Sequence, residues 1–178
     1  MEIYLIRHTT PAIASGICYG QADIEVAESF ETEAEQIRQQ LPAEILCYSS
    51  PLKRCSQLAK HIYPNATIAY ADALKEMHFG EWELQPWDQI PNDPLNIWMQ
   101  DFVKVRVPGG ENYLELFDRT ISFYQTIVGK NQSAALFTHS GNIRSILSYV
   151  NNVPLEASFS KFKIEYGEVV KIESPVGR

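Results

Sequence analysis

Residues 3–8 read Ile3-Tyr4-Leu5-Ile6-Arg7-His8, four apolar residues rich in β-formers followed at once by two basic side chains. An apolar run of that length without polar alternation predicts a short strand buried on both faces. Two later runs have the same character, Ile45-Leu46-Cys47-Tyr48 and Ala134-Ala135-Leu136-Phe137. Elsewhere the apolar spacing is that of a helix. Leu52, Cys55, Leu58, Ala59 and Ile62 fall on one helical face, as do Leu114, Phe117, Ile121, Tyr124 and Val128, and again Ile143, Ile146, Leu147 and Val150. Ser50 before Pro51 reads as a helix start, a capping hydroxyl followed by proline at the first helical position. Strands alternating with amphipathic helices predict an α/β domain with a largely parallel sheet covered on both faces. In the tail, Phe162, Ile164 and Tyr166 alternate with polar residues, and Gly167 precedes Val169-Val170-Lys171-Ile172. That pattern predicts a closing hairpin or an antiparallel edge pair.

A chain of 178 residues reads as one domain, 1–178, and at that size buries roughly 70% of its unfolded surface, so its core needs no disulfide or metal. Apolar residues at 45% and charged residues at 21% exclude the disordered classes. Fifteen Lys and Arg against 22 Asp and Glu leave a net charge of −7, which carries no electrostatic footprint for nucleic acid or an anionic membrane. A local basic pocket for a small anion stays open. Cys18, Cys47 and Cys55 are odd in number and form no C-x-x-C pair, so neither a disulfide scaffold, a zinc ribbon nor a thioredoxin-type site is expected. The first residues have an acidic Glu2 and only four apolar residues in a row, unlike a signal peptide, and no window approaches the roughly 20 apolar residues of a membrane span. A cytoplasmic protein is expected, with a homodimer left open. Residues 78–110 hold Trp82, Trp87 and Trp98 with four prolines and no sustained period, and read as an irregular, lid-like insertion packed by its own aromatics.

The polar residues that matter sit at the strand ends. Arg7-His8 follows the first run, His139 follows the run that ends at Thr138, and Arg54 lies in the first turn of the helix after Ile45–Tyr48. In open α/β sheets, ligands bind beyond the carboxyl ends of the strands. Arginine offers planar, bidentate recognition of phosphate or carboxylate and stays charged. A helix N-terminus near Arg54 adds oriented N–H groups. A deprotonated histidine can be a nucleophile toward phosphorus, and a carboxyl group such as Glu76, partly desolvated, can hold its proton near neutral pH and protonate a leaving alkoxide. Taken singly, each residue has an ordinary structural role, and His61 and His78 read as structural or surface groups. Taken together they point to an anion site without assigning the nucleophile.

Four motifs occur in order: Leu5-Ile6-Arg7-His8-Thr9-Thr10, Ser49-Ser50-Pro51-Leu52-Lys53-Arg54-Cys55, Leu74-Lys75-Glu76-Met77-His78-Phe79-Gly80-Glu81-Trp82-Glu83 and Phe137-Thr138-His139-Ser140-Gly141-Asn142-Ile143-Arg144. Over residues 3 to 150 the chain resembles the histidine phosphatase superfamily, which includes the cofactor-dependent phosphoglycerate mutases. The resemblance implies a three-layer sandwich with a mixed, mostly parallel sheet, and no metal or cofactor. It also implies roles: His8 as the nucleophile that becomes phosphohistidine, Arg7 and Arg54 as the pair that grips the phosphoryl group, His139 as the second histidine on its oxygens, and Glu76 as general acid and then base.

The pattern is not complete. Thr9 and Thr10 stand where the superfamily has Gly and an acidic or amide residue, Ala14 where it has Asn, and Ser140 where Gly follows the second histidine. Thr9 and Ser140 keep backbone N–H groups that can face phosphate, whereas the missing Asn argues against a tight mutase-type pocket. The chain is also short for the inserts of a mutase. The segment Gly16-Ile17-Cys18-Tyr19-Gly20-Gln21-Ala22-Asp23, the run from Leu74 to Glu83, and Gly110-Glu111-Asn112-Tyr113 leading into Phe117-Asp118-Arg119 are similar to those of alpha-ribazole phosphatases of cobalamin assembly. That likeness implies a small phosphorylated metabolite as partner, with Tyr19, Gly20 and Gln21 near the substrate. The alternatives are a broad-specificity sugar or acyl phosphate phosphatase, a mutase, and a phosphate-binding or scaffold protein without catalysis.

Overall fold

The computed structural model describes residues 1–173. The strands are β1 (Glu2–Arg7), β2 (Leu46–Ser49), β3 (Ile68–Tyr70), β4 (Ala134–Thr138) and β5 (Val169–Glu173). They form one sheet in the order β3-β2-β4-β1-β5, with β5 antiparallel to β1 and the other pairs parallel. The helices are α1 (Phe30–Arg38), α2 (Lys53–Ile62), α3 (Asn92–Gln100), α4 (Tyr113–Gly129), α5 (Ser140–Asn151) and α6 (Ser158–Lys161).

Alternation along the strands sorts the side chains into two layers. Ile3 and Leu5 of β1, with Ala134 and Leu136 of β4, pack against Ile121, Tyr124 and Ile127 of α4 and Ile143, Ile146 and Leu147 of α5. Tyr4, Ile6, Ala135 and Phe137 face the other way, against Ala34 and Ile37 of α1 and Cys55, Leu58, Ala59 and Ile62 of α2. Both faces of the sheet are thus covered, which is why its central strands read as continuous apolar runs. A third cluster, with Trp82, Ile90, Val103, Val107, Tyr113 and Leu116 at its centre, lies beyond the sheet and packs Phe79, Trp87, Trp98 and Phe102 around itself.

Register decides where the strands end. Arg7 pairs with Thr138 and Ser49 with Phe137, so β1, β2 and β4 finish level with one another. The next residues, His8, Ser50 and His139, therefore emerge side by side on one rim of the sheet.

Several expectations are corrected. Helix α2 starts at Lys53, with Leu52 as its cap residue in extended conformation and no side-chain cap. Ser50 and Pro51 lie before it, because the Ser50 hydroxyl is engaged by Leu52 N–H at 3.3 Å and faces His139. In α4 the buried face is Leu116, Thr120, Ile121, Tyr124 and Ile127, rotated from the expected stripe, and Leu114 is exposed, because the helix also packs on the third cluster through Leu116. Val150 of α5 is exposed as well. The tail makes the edge pair and not the hairpin: residues 162–166 form no strand, and Gly167, at φ +70°, turns the chain into β5. The segment 78–110 is not wholly irregular, since it contains α3. Pro91 precedes that helix and Pro94 lies in its first turn, where the N–H has no intrahelical partner to lose.

Candidate active site

His8 is 2% exposed and its Nδ1 lies 2.7 Å from the carbonyl oxygen of Thr9. A carbonyl only accepts, so Nδ1 carries the proton and the lone pair is on Nε2. Burial holds the His8 pKa well below 6.5, and the charges of Arg54 and Arg7 push it the same way. The ring is therefore neutral at pH 7. Its centroid is 5.2 Å from that of His139, edge to face. His139, fully buried, has its Nε2 2.9 Å from Ser50 Oγ, and its pKa is also well depressed, by burial first and then by Arg54, His8 and Arg7. Cys55 Sγ lies 3.5 Å from the same nitrogen, donates to Thr138 O at 3.3 Å, and is a thiol: burial pushes its pKa up to about 12. It is no rival nucleophile.

The arginines carry the field of the site. Arg54 is fully buried on the first turn of α2, with Nη1 donating to Ala22 O at 2.9 Å and Nη2 to Gly20 O at 2.5 Å, while its Nε has no partner. Arg7 gives Nη1 to Ile164 O at 2.6 Å, lies against the Tyr166 ring at 3.9 Å, and also has a buried, unpartnered Nε. Tyr166 and Tyr19 share a hydrogen bond of 2.7 Å between their hydroxyls, beside the two guanidinium groups. Among the described residues neither Arg7 nor Arg54 has a carboxylate within ion-pair distance. A buried Arg54 and a half-buried Arg7, held by neutral carbonyls and aromatic rings and not by carboxylates, are suited to accept an anion.

Glu76 closes the other side. Its Oε1 accepts from Met77 N–H at 2.9 Å and its Oε2 from Gly141 N–H at 3.1 Å, with Ser140 Oγ at 3.5 Å. Gly141 is in the first turn of α5, so that helix presents one N-terminal amide and the Ser140 hydroxyl to the Glu76 carboxyl group. The loop carrying Glu76 is fixed by Arg119, which donates to the carbonyls of Ala73, Lys75 and Glu76 and pairs with Glu111 at 2.9 Å. Glu111 in turn accepts from His78 N–H.

Arg7, His8, Arg54 and Glu76 open onto one cavity of about 230 Å³, whereas His139, fully buried, is not in its wall. Arg7, His8, Arg54, Glu76, Tyr19 and Ser140 line its polar end, and Phe79, Trp87, Trp98, Phe102, Tyr113 and Phe159 its apolar end. Arg144 also stands in the wall, held by its Nε on Phe162 O at 3.0 Å.

The structure brings Arg7, His8, Arg54, Glu76 and His139 together, from separate stretches of chain. Thr9 is buried with its hydroxyl unpartnered, and it contributes its carbonyl to His8. Gly20 and Gln21 do not line the cavity; their backbone groups are used in its frame, and Gln21 Nε2 donates to Glu76 O at 3.1 Å. Ser50, expected only as a helix cap, and Glu83, Glu111, Arg119, Gly141 and Arg144, expected in no role, are also part of the site or its frame. All six lie inside quoted motifs, so the signal was present without this role. Among the described residues no three His, Cys, Asp or Glu side chains gather as a metal site would require. No helix among them is long and apolar enough to cross a membrane.

A family model described as the histidine phosphatase superfamily (branch 1) matches residues 3–177. Comparison with curated proteins finds no match. Among solved structures the chain is similar to the alpha-ribazole phosphatase of Shigella flexneri, with 20% identity, a TM-score of 0.89, and 97% of this chain and 90% of that one covered. It is also similar to the mycobacterial glucosyl-3-phosphoglycerate phosphatase, at 18% identity and TM-score 0.84 over 96% and 88% of the two chains. The phosphoglycerate mutase of Thermus thermophilus is 24% identical, with a TM-score of 0.76 and coverage of 98% and 94%. At these identities the likeness establishes the fold.

Proposed function

The chain belongs to the histidine phosphatase superfamily, and on that premise we propose that it is a metal-independent phosphomonoesterase acting through a phosphohistidine on His8. The observation that carries this reading is a neutral His8, with its Nε2 lone pair free, beside the buried guanidinium of Arg54 and the half-buried one of Arg7, neither with an acidic partner among the described residues. Arg7 and Arg54 hold the phosphoryl oxygens and offset their charge, and His139 holds a further one. His8 Nε2 attacks phosphorus as the bond to the leaving oxygen breaks, and the Glu76 carboxyl gives that oxygen its proton. The resulting Glu76 carboxylate takes a proton from water, whose oxygen attacks phosphorus. The N–P bond breaks, and inorganic phosphate and the free imidazole are released.

The favoured substrate is alpha-ribazole 5′-phosphate, free or in its cobamide form. The apolar end of the cavity supports it: Phe79, Trp87 and Trp98 offer flat surfaces to an aromatic base. The segment 78–110 then acts as the lid over that base.

Phosphate release from alpha-ribazole 5′-phosphate and from a panel of sugar, acyl and alkyl phosphates, with wild type and His8→Ala in parallel, tests both parts. A strong preference for alpha-ribazole phosphate with a dead variant supports the whole reading. Equal cleavage of many esters keeps the mechanism and moves the substrate to the broad-specificity class. An active His8→Ala protein refutes the covalent step. Vanadate should inhibit, and chelators should leave the rate unchanged.

A further inference from the structure

Of the carboxylates in the loops around the site that the reaction does not use, Glu83 is the one bonded to the segment that holds Arg54. Glu83 accepts four backbone hydrogen bonds: from Gly20 at 2.9 Å and Ala22 at 3.1 Å on Oε2, and from Gln21 at 2.8 Å and Phe79 at 3.0 Å on Oε1. Three of these donors are consecutive, so their N–H groups converge on one anion as in a backbone nest. The carbonyls of two of the same residues are also engaged. Gly20 O accepts from Arg54 Nη2 and Ala22 O from Arg54 Nη1. The segment 20–22 thus lies between a carboxylate and a guanidinium.

We propose that Glu83 is a positioning residue that sets the guanidinium of Arg54 through the backbone of residues 20–22. The inference rests on the reading of Arg54 as a phosphoryl-gripping group. Arg54 has five N–H hydrogens, and the two carbonyls take one from each Nη, which fixes the plane of the fork. The remaining three, including the unpartnered Nε–H, are left for the phosphoryl oxygens. The Gly20–Gln21 peptide is bonded on both sides, its C=O by the guanidinium and its N–H by the carboxylate; the two polarise it in the same sense, so each strengthens the hold of the other. The fit of the segment is close. A Cβ on Gly20 would stand 1.8 Å from the Met77 carbonyl oxygen, so residues 20–22 can lie against 77–79 only with glycine there. Glu83 itself is absent from the cavity wall and acts at one remove.

The test is a cycle of Glu83→Gln, Arg54→Lys and the double variant, read as vanadate inhibition, as kcat and KM for p-nitrophenyl phosphate, and as Tm. Glu83→Gln should weaken vanadate binding and lower kcat/KM by about tenfold or more, and in the Arg54→Lys background the added loss should shrink to about twofold or less. Losses that multiply independently in the double variant overturn the proposal. So does a Glu83→Gln protein with a lowered Tm and unchanged vanadate binding, because the carboxylate would then only staple two loops. Should Glu83→Gln not fold, Glu83→Asp, which keeps the charge and shortens the reach, is put through the same cycle. Failure of the underlying reading is seen separately, as an active His8→Ala protein or a wild type insensitive to vanadate.

Discussion

A single methyl group at residue 141 tests whether Glu76 is the proton donor. Gly141 N–H donates to Glu76 Oε2 at 3.1 Å, and a Cβ placed on that residue would stand 2.2 Å from Glu76 Oε1 and 2.8 Å from Leu116 Cδ2. Contacts below 3.0 Å are essentially never seen for a real Cβ, so in Gly141→Ala the carboxylate must withdraw by at least about 0.8 Å. It cannot do so freely, since Oε1 is held by Met77 N–H and Leu116 is fully buried on the same side. A displacement of that size in a proton donor costs on the order of 10²-fold in rate. Overpacking costs about 1–3 kcal/mol, while replacing glycine in a helix returns up to about 1 kcal/mol, so Tm should drop by no more than about 12 °C. The assay compares kcat for an alkyl phosphate, whose leaving alkoxide needs a proton, with kcat for p-nitrophenyl phosphate, whose leaving group needs one far less. The loss should be large for the first ester and much smaller for the second. Wild-type kcat on the alkyl ester, or equal losses on both, would refute the assignment of Glu76 and the geometry behind it.

Four other outcomes are expected. Because His8 and His139 have folded pKa values below the ordinary 6.5, the unfolded chain binds more protons than the folded one below that pH. Stability is therefore fully kept above 6.5 and should fall on acidification by up to about 1.4 kcal/mol per pH unit for each ring, measured by denaturation at a series of pH values. By the same shift, kcat/KM for the dianionic substrate should not halve at pH 6.5, and a midpoint there would contradict the buried, arginine-flanked His8. Arg119→Met leaves Glu111 and three carbonyls without their donor, in a pair whose side chains are about one-fifth exposed. It should cost about 2–4 kcal/mol in urea titration, with kcat reduced, and adding Glu111→Gln should cost less than that single change does alone. Leu84 holds φ +65° and is 58% exposed. Leu84→Gly should therefore stabilise by about 0.5–1 kcal/mol, a rise in Tm of a few degrees, and a fall would mean that the leucine packs more than its exposure implies.

The sheet was legible because its central strands are covered on both sides. Burial of Ile3–Ile6 and Ala134–Phe137 against two helical layers leaves continuous apolar runs, which are a local property of the chain. The helix α3 was not legible, since none of its residues is buried and two prolines stand at its start; it is held by Leu95 and Trp98 against an aromatic cluster from elsewhere. β3 is only three residues long at a sheet edge, too short for a period to show. Ser50 misleads for a different reason. A serine before a proline has the local chemistry of a cap, and only the register of β2 against β4 turns it toward His139.

By itself, then, the sequence determined the α/β class, the family, and the placement of Arg7, His8, Arg54 and His139 at or just past the ends of strands, since apolar runs and helical stripes mark where each strand must stop. Only the tertiary structure decided how those ends meet: the level finish of β1, β2 and β4, the approach of Glu76 to Gly141 across 65 residues, the carbonyls of Ala73, Lys75 and Glu76 on Arg119, and the amides of 20–22 on Glu83. Those contacts join backbone groups that every residue carries. Residue type marks only one partner of each, the side chain of Glu76, Arg119 or Glu83 and the glycines at 20 and 141 that let the backbone come close, and the pairing exists only where packing brings distant segments within hydrogen-bond reach.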